Sequence, residues 1–250
     1  MSLSASPAPG AGWLHRPGVN RLIEALPAPQ AARLASQLEP VDMALGQVLY
    51  EYDAPMTHVY FPTGGLVSLV LSSAEGITVE AGVVGNEGMV GTAIYLGATR
   101  SPTKAFFQTP GRCLRLRAAV FAEEVHRGGA LDSLVRRYTQ AMMGQLSQSV
   151  LCNRLHSIEE RMCRWILMTH DRVGGDELAL TQEFIAQMLG VRRPSVTVVA
   201  GVLQQAGLIR YSRGRITVLD RTGLEEASCE CYGAVRREFE QLLARPEERS

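Results

Sequence analysis

The sequence predicts an α+β chain, with an antiparallel β-barrel or jelly roll in front, one long helix in the middle, and a helix-turn-helix closed by a β-hairpin wing behind. Three observations predict it. Short β-rich runs broken by glycine- and proline-bearing turns fill residues 41–117. A stripe of alternating four- and three-residue steps runs from Leu131 to Cys152. Two short helical patterns meet at Gly190, and two β-runs around Ser212-Arg213-Gly214 follow them.

The chain of 250 residues is long enough for two ordinary domains, and 46% hydrophobic with 20% charged residues suits a soluble globular protein. No apolar run approaches the roughly 20 residues that a membrane helix needs. Residues 1–19 are small and proline-rich, with neither the basic start nor the apolar stretch of a signal peptide, and are expected to be a disordered tail. A barrel is expected over 20–125, the long helix over 126–153, the helix-turn-helix over 154–222 and a helical extension over 223–250. Five scattered cysteines, an odd number, suggest no disulfide framework and fit a reducing cytoplasm.

In chain order, Asn20 is placed to cap a first short helix, and Pro27 and Pro29 interrupt the pattern before Ala31–Leu38 resumes it. Strands are expected at Val48–Tyr52, His58–Phe61, Leu66–Leu71, Ile77–Val84, Ala105–Gln108 and Cys113–Leu116. The turns between them are Pro62-Thr63-Gly64-Gly65, Ala74-Glu75-Gly76, Gly85-Asn86-Glu87-Gly88 and Thr109-Pro110-Gly111. The long helix runs from about Ala130 to Asn153. Its stripe of Leu131, Val135, Tyr138, Met142, Gln145, Ser149 and Cys152 is a dimer seam on one reading and a face packed on the barrel on the other. An amphipathic helix over Ile158–Thr169 follows.

The stretch Thr181–Ile209 carries the functional signal. Thr181 suits an N-cap, with Glu183 in the first turn against the helix dipole. Gly190 supplies the left-handed residue that ends the first helix, and Pro194 sits in the first turn of the second, where a missing N–H costs nothing. Ala186, Gly190 and Val196 give the small, turn and inward-facing residues that two tightly crossing helices need. From Thr181 to Arg221 there are six arginines against two acids in a chain of zero formal net charge, a footprint suited to phosphate. The residues assigned to DNA are Thr181, Arg192, Arg193, Ser195, Val196 and Thr197 around the second helix, and Arg210, Arg213 and Arg215 on the wing.

From these motifs the chain resembles the Crp/Fnr family of bacterial transcription regulators, best over Leu180–Leu219. The front half resembles that family's cyclic-nucleotide-binding-like barrel through Gly46-Gln47-Val48-Leu49-Tyr50, His58-Val59-Tyr60-Phe61 and Val84–Gly91. The resemblance implies a homodimer on palindromic double-stranded DNA, with RNA polymerase as a further partner and no membrane. It places a sensor pocket at Asn86, Glu87, Gly88, Arg100, Thr103 and Lys104. The chain departs from the pattern at two places. Pro194, Ser195 and Val198 stand where the family often has glutamate, threonine and a second arginine, and Thr103 stands where a phosphate-binding arginine is expected. A cyclic phosphate without its bidentate arginine loses a major charge-assisted contact, so no classical cAMP binding is expected and the effector is unknown. A cyclic-nucleotide-gated regulator with a non-standard pocket, and an interaction protein that no longer reads DNA, remain alternatives.

Other chemistry finds little support. No cysteine precedes Cys113, so an Fnr-type iron–sulfur cluster has no ligands there. Cys229-x-Cys231 is a metal-like pair that no neighbouring residue in the sequence completes, so no metal and no cofactor are expected. No nucleophile or P-loop motif appears, and no enzyme activity is expected.

Overall fold

The structure is a computed structural model that describes residues 18–243; residues 1–17 of the expected tail lie outside them. Asn20 caps α1 (Arg21–Glu24), its side chain accepting from the Leu22 and Ile23 amides. The second helix, α2 (Ala28–Ala35), starts earlier than expected, because Pro27 and Pro29 fall before and within its first turn, where proline is tolerated. Strands β1 (Glu39–Met43), β2 (Val48–Tyr50), β3 (His58–Ser72), β4 (Thr78–Val84) and β5 (Lys104–Arg117) form one antiparallel sheet of order β1-β5-β3-β4, with β2 also on β5. Among the described residues the ladders do not close into a ring. A short helix, α3 (Thr92–Tyr95), fills the β4–β5 connection.

Two of the expected turns are not turns. Pro62–Gly65 and Thr109–Gly111 lie inside the long strands β3 and β5 and face each other, with the register slipping between Pro62 and Val67. A Cβ on Gly111 would stand 2.1 Å from the Gly64 carbonyl oxygen, and one on Gly65, where φ is +76°, 2.8 Å from that of Pro110. The glycines therefore let two sharply bent strands touch, a bulged corner rather than a pair of hairpins.

Helix α4 (Ala118–His126) leads into α5 (Ala130–Leu155), which starts where expected. The stripe expected as a dimer seam turns inward: Leu131, Val135, Tyr138, Met142, Gln145 and Cys152 are buried within the chain itself and Ser149 is half-buried. They pack on the sheet and on α10 (Cys231–Leu243), whose Val235, Phe239 and Leu242 share the core of the sheet domain. The face of α5 left in solvent is a different one, with Met143, Val150, Leu151 and Leu155 exposed on it.

The second half consists of α6 (Ile158–His170), α7 (Gln182–Leu189), α8 (Arg193–Gln205) and α9 (Arg221–Ala227), with a small sheet of β6 (Glu177–Leu178), β7 (Ile209–Ser212) and β8 (Arg215–Val218) in the order β6-β8-β7. Ser157 and Glu160 form a capping box at the start of α6. The expected C-terminal helical extension consists of α9 and α10, and its residues 244–250 lie outside the described residues. The two halves are docked: Leu66, Val70 and Val83 of the large sheet share a core with Ile166, Ile185 and Leu189. The Phe184 ring sits 6.4 Å from Phe106 and 6.2 Å from Trp165.

Candidate nucleic-acid interface

Thr181 caps α7, its hydroxyl accepting from the Phe184 amide at 3.1 Å, and Gly190 ends the helix at φ +63°. Ile185, Ala186 and Leu189 of α7 meet Val196, Val199, Ala200 and Leu203 of α8, all buried. This corrects one assignment: Val196 is fully buried, and its methyls hold the helix pair together instead of facing DNA. The opposite face of α8 carries Arg193, Pro194, Thr197 and Val198 into solvent, while Ser195 is half-buried. Thr197 donates to Gln182 Oε1 at 2.7 Å, fixing α8 against the start of α7. Val198 was noted in the sequence only as a departure from a motif. At 68% exposure it is an apolar group held in solvent one turn beyond Pro194, and helical spacing from Pro194 was the signal that could have assigned it.

In the wing, Ser212 pairs with Arg215 across a two-residue turn in which Arg213 has φ +49° and Gly214 φ +75°. Two positive φ values give the turn whose twist matches a hairpin. Arg210, Arg213 and Arg215 surround one concave surface together with Ser212, Thr217 and Glu177. Arg215 lies 3.7 Å from Glu177, with both side chains exposed. Arg192, Arg193, Arg210 and Arg213 are exposed and form no ion pair among the described residues.

The residues expected to form a ligand pocket are not gathered into one. Glu87 is fully buried: its Oε1 accepts from Arg172 Nε at 2.9 Å and from the Gly85 amide at 3.1 Å. Arg172, itself 2% exposed, also donates to the Met168 carbonyl and lies 5.6 Å from the Phe239 ring centroid. Gly88 lies directly beneath Tyr138, where a Cβ would stand 2.1 Å from the ring. The Asn86 carbonyl accepts from the Arg21 amide. Arg100 and Lys104 point outward instead, paired with Asp53 at 2.8 Å and Glu51 at 3.1 Å, and the Thr103 carbonyl accepts from Ser101.

Two family models match the chain: a cyclic nucleotide-binding domain over residues 40–127 and a Crp-like helix-turn-helix domain over 160–227. The chain is a DNA-binding transcription regulator of the Crp/Fnr family. Solved structures share its fold. FixK2 of Bradyrhizobium japonicum is 14% identical with a TM-score of 0.67, over 77% of this chain and 98% of that one. A Crp/Fnr-family regulator of Thermus thermophilus is 24% identical with a TM-score of 0.61, over 76% and 98%. The c-di-GMP-responsive regulator CLP of Xanthomonas campestris is 12% identical with a TM-score of 0.61, over 77% and 99%. A comparison with curated protein sequences finds no match.

Two further features of this Crp/Fnr regulator lie at the joint between its halves. The carboxyl of Glu80 on β4 accepts from Trp165 Nε1 at 2.7 Å, and burial pushes its pKa up to about 7. The second feature corrects the expectation about cysteine. Cys229 and Cys231 are not an incomplete pair: Cys152 and His156, from the end of α5, stand beside them, and the four side chains bring their ligand atoms within 4.8 Å of one another. Folding brings together residues more than seventy positions apart, which no local spacing could reveal. No helix among the described residues is long and apolar enough to cross a membrane.

Proposed function

We propose that this regulator binds a two-fold symmetric DNA site as a homodimer, reads it with α8, grips its backbone with the wing, and uses neither cAMP nor cGMP as effector. One observation carries the reading. Arg193 on α8 and Arg210 and Arg213 on the wing stand in solvent with no ion-pair partner among the described residues. A helix of this motif enters the major groove with its first turns. Arg193 there can donate two hydrogen bonds to a guanine edge, and the methyls of Val198 suit a thymine methyl group. The wing arginines, with Arg192 just before α8, meet phosphates, which position without specifying.

For the dimer, the outer face of α5 replaces the buried stripe as the proposed seam. Gln140, Met143, Ser147, Val150 and Arg154 follow the same three- and four-residue steps and are exposed. The use of Glu87 by Arg172, and of the space over Gly88 by Tyr138, supports the absence of cyclic-nucleotide binding. Work in the cytoplasm, with RNA polymerase as partner and by binding rather than catalysis, completes the proposal. Selection of bound sequences from a random DNA pool tests the first part. A palindrome with half-sites about 34 Å apart, one DNA turn, is expected, and recovery of unrelated sequences overturns it. Light scattering should give twice the chain mass, and Val150→Glu should halve it. Calorimetry with cAMP and cGMP should show no heat of binding; a micromolar dissociation constant for either overturns that part.

A further inference from the structure

We propose that Cys152, His156, Cys229 and Cys231 form a closed, four-ligand site for a thiolate-binding divalent ion, zinc first among them, which fastens the end of α5 to the start of α10 and the residues just before it. The four ligand atoms lie within 4.8 Å of one another, and two of their pairs already stand close to the spacing that such an ion requires. With Zn–S bonds of about 2.3 Å and Zn–N bonds of about 2.0–2.1 Å, a tetrahedral ion holds sulfur atoms about 3.8 Å apart and sulfur and nitrogen about 3.6 Å apart. Here Cys152 Sγ lies 3.6 Å from Cys229 Sγ, and Cys231 Sγ lies 3.4 Å from His156 Nδ1. All three cysteines are buried and His156 is half-buried, so the group excludes most water and leaves no position for a substrate.

The surroundings are those of metal ligands. The other ring nitrogen of His156, Nε2, lies 3.3 Å from Glu230 Oε1, which holds the ring with Nδ1 toward the sulfurs. A carboxylate behind a ligating histidine is the usual way its tautomer and orientation are fixed. Gln148 Nε2 lies 3.1 Å from Cys231 Sγ, a donor aimed at a sulfur that becomes negative on binding. Three thiolates and a neutral imidazole around a divalent ion leave one net negative charge. Arg161 and Arg164 line the cavity beside Cys152, and Arg164 is only 8% exposed. A disulfide between Cys152 and Cys229 would use two of these groups and leave the orientation of His156 and Gln148 without a purpose. On binding, each thiol releases its proton to solvent and its sulfur lone pair forms the bond to the ion, with no redox change. The sequence Cys229-Glu230-Cys231 thus supplies two ligands and, between them, the residue that orients the third.

The test uses the full chain, purified under reducing conditions and loaded with zinc or with cobalt. One ion per chain is expected, and the cobalt form should show the visible absorption of a tetrahedral thiolate centre. Cys231→Ser should lose the ion and that spectrum, Glu230→Gln should weaken affinity by about 10–100-fold, and Cys163→Ser, away from the cluster, should change neither. If Cys231→Ser does not fold, chelator competition on the unaltered chain, with the Glu230→Gln variant beside it, gives the same readout. Failure of the reduced chain to take up either ion, a cobalt spectrum that survives Cys231→Ser, or a Glu230→Gln variant with unchanged affinity overturns the proposal.

Discussion

On the wing and at the start of α8, Arg192, Arg193, Arg210 and Arg213 stand in water with no ion-pair partner among the described residues, and Arg215 has only the exposed Glu177 at 3.7 Å. Beside the loop after β4, the Arg172 guanidinium is sealed against Glu87 and beside the Phe239 ring. The same side chain serves opposite ends in the two places. A buried charge must be paired, because an isolated one carries a desolvation cost of several kcal/mol. An exposed one has no such need, and several standing together unpaired are free to meet the phosphates proposed for them. This difference in burial is what supports the proposal that the wing meets DNA and that the loop around Glu87 serves the fold.

The sharpest way to break this contrast is to remove one side of the buried pair. Glu87→Ala removes the carboxylate that is ion-paired with the buried Arg172 guanidinium, and should cost about 3–5 kcal/mol of unfolding free energy, read from denaturant titration. A loss below about 1 kcal/mol, the scale of a surface pair, would show that water reaches the site. Next in size is Arg193→Ala, which should weaken binding to the selected DNA site by about 1–3 kcal/mol and relax preference at one base position. Equal weakening on scrambled DNA would move Arg193 from the bases to the backbone.

Glu80 sharpens the buried side through pH. Its folded pKa of about 7 lies above the ordinary 4.5. At low pH both folded and unfolded chains carry the proton. As pH rises from about 4.5 to about 7, the unfolded chain releases it and the folded chain does not, so stability falls across that window and then levels. Arg164 and Arg172 nearby partly offset the effect. Glu80→Gln should remove the fall and leave the protein about 1–2 kcal/mol more stable at pH 8 than the unaltered chain. An unchanged pH profile would show that the carboxylate is hydrated. The smallest effect belongs to the wing. Arg213→Ala should weaken all DNA alike and lower the salt slope of binding by about one, and a change in base preference instead would mean that the wing reads sequence.

The helix-turn-helix and its hairpin were legible because their signals are local. Thr181, Gly190, Pro194 and Gly214 each act on a backbone within a few residues of themselves. Three features were not legible for the opposite reason. The glycines and proline of β3 and β5 look like turns in either strand alone; their purpose shows only when Gly111 meets Gly64. The stripe on α5 has the spacing of a dimer seam, but spacing does not say which surface covers it, and the sheet and α10 do. The four residues around Cys229 come from two segments that folding alone unites.

The return of α10 to the first core has a consequence for how the protein comes into being. Val235, Phe239 and Leu242 fill the space beside α5 and the sheet. A ribosome that has released everything through α5 has made all the strands of that sheet, yet their core still lacks one wall. The half that is synthesised first is therefore finished last, and until α10 arrives the inward face of α5 is open to any other apolar surface in the cell.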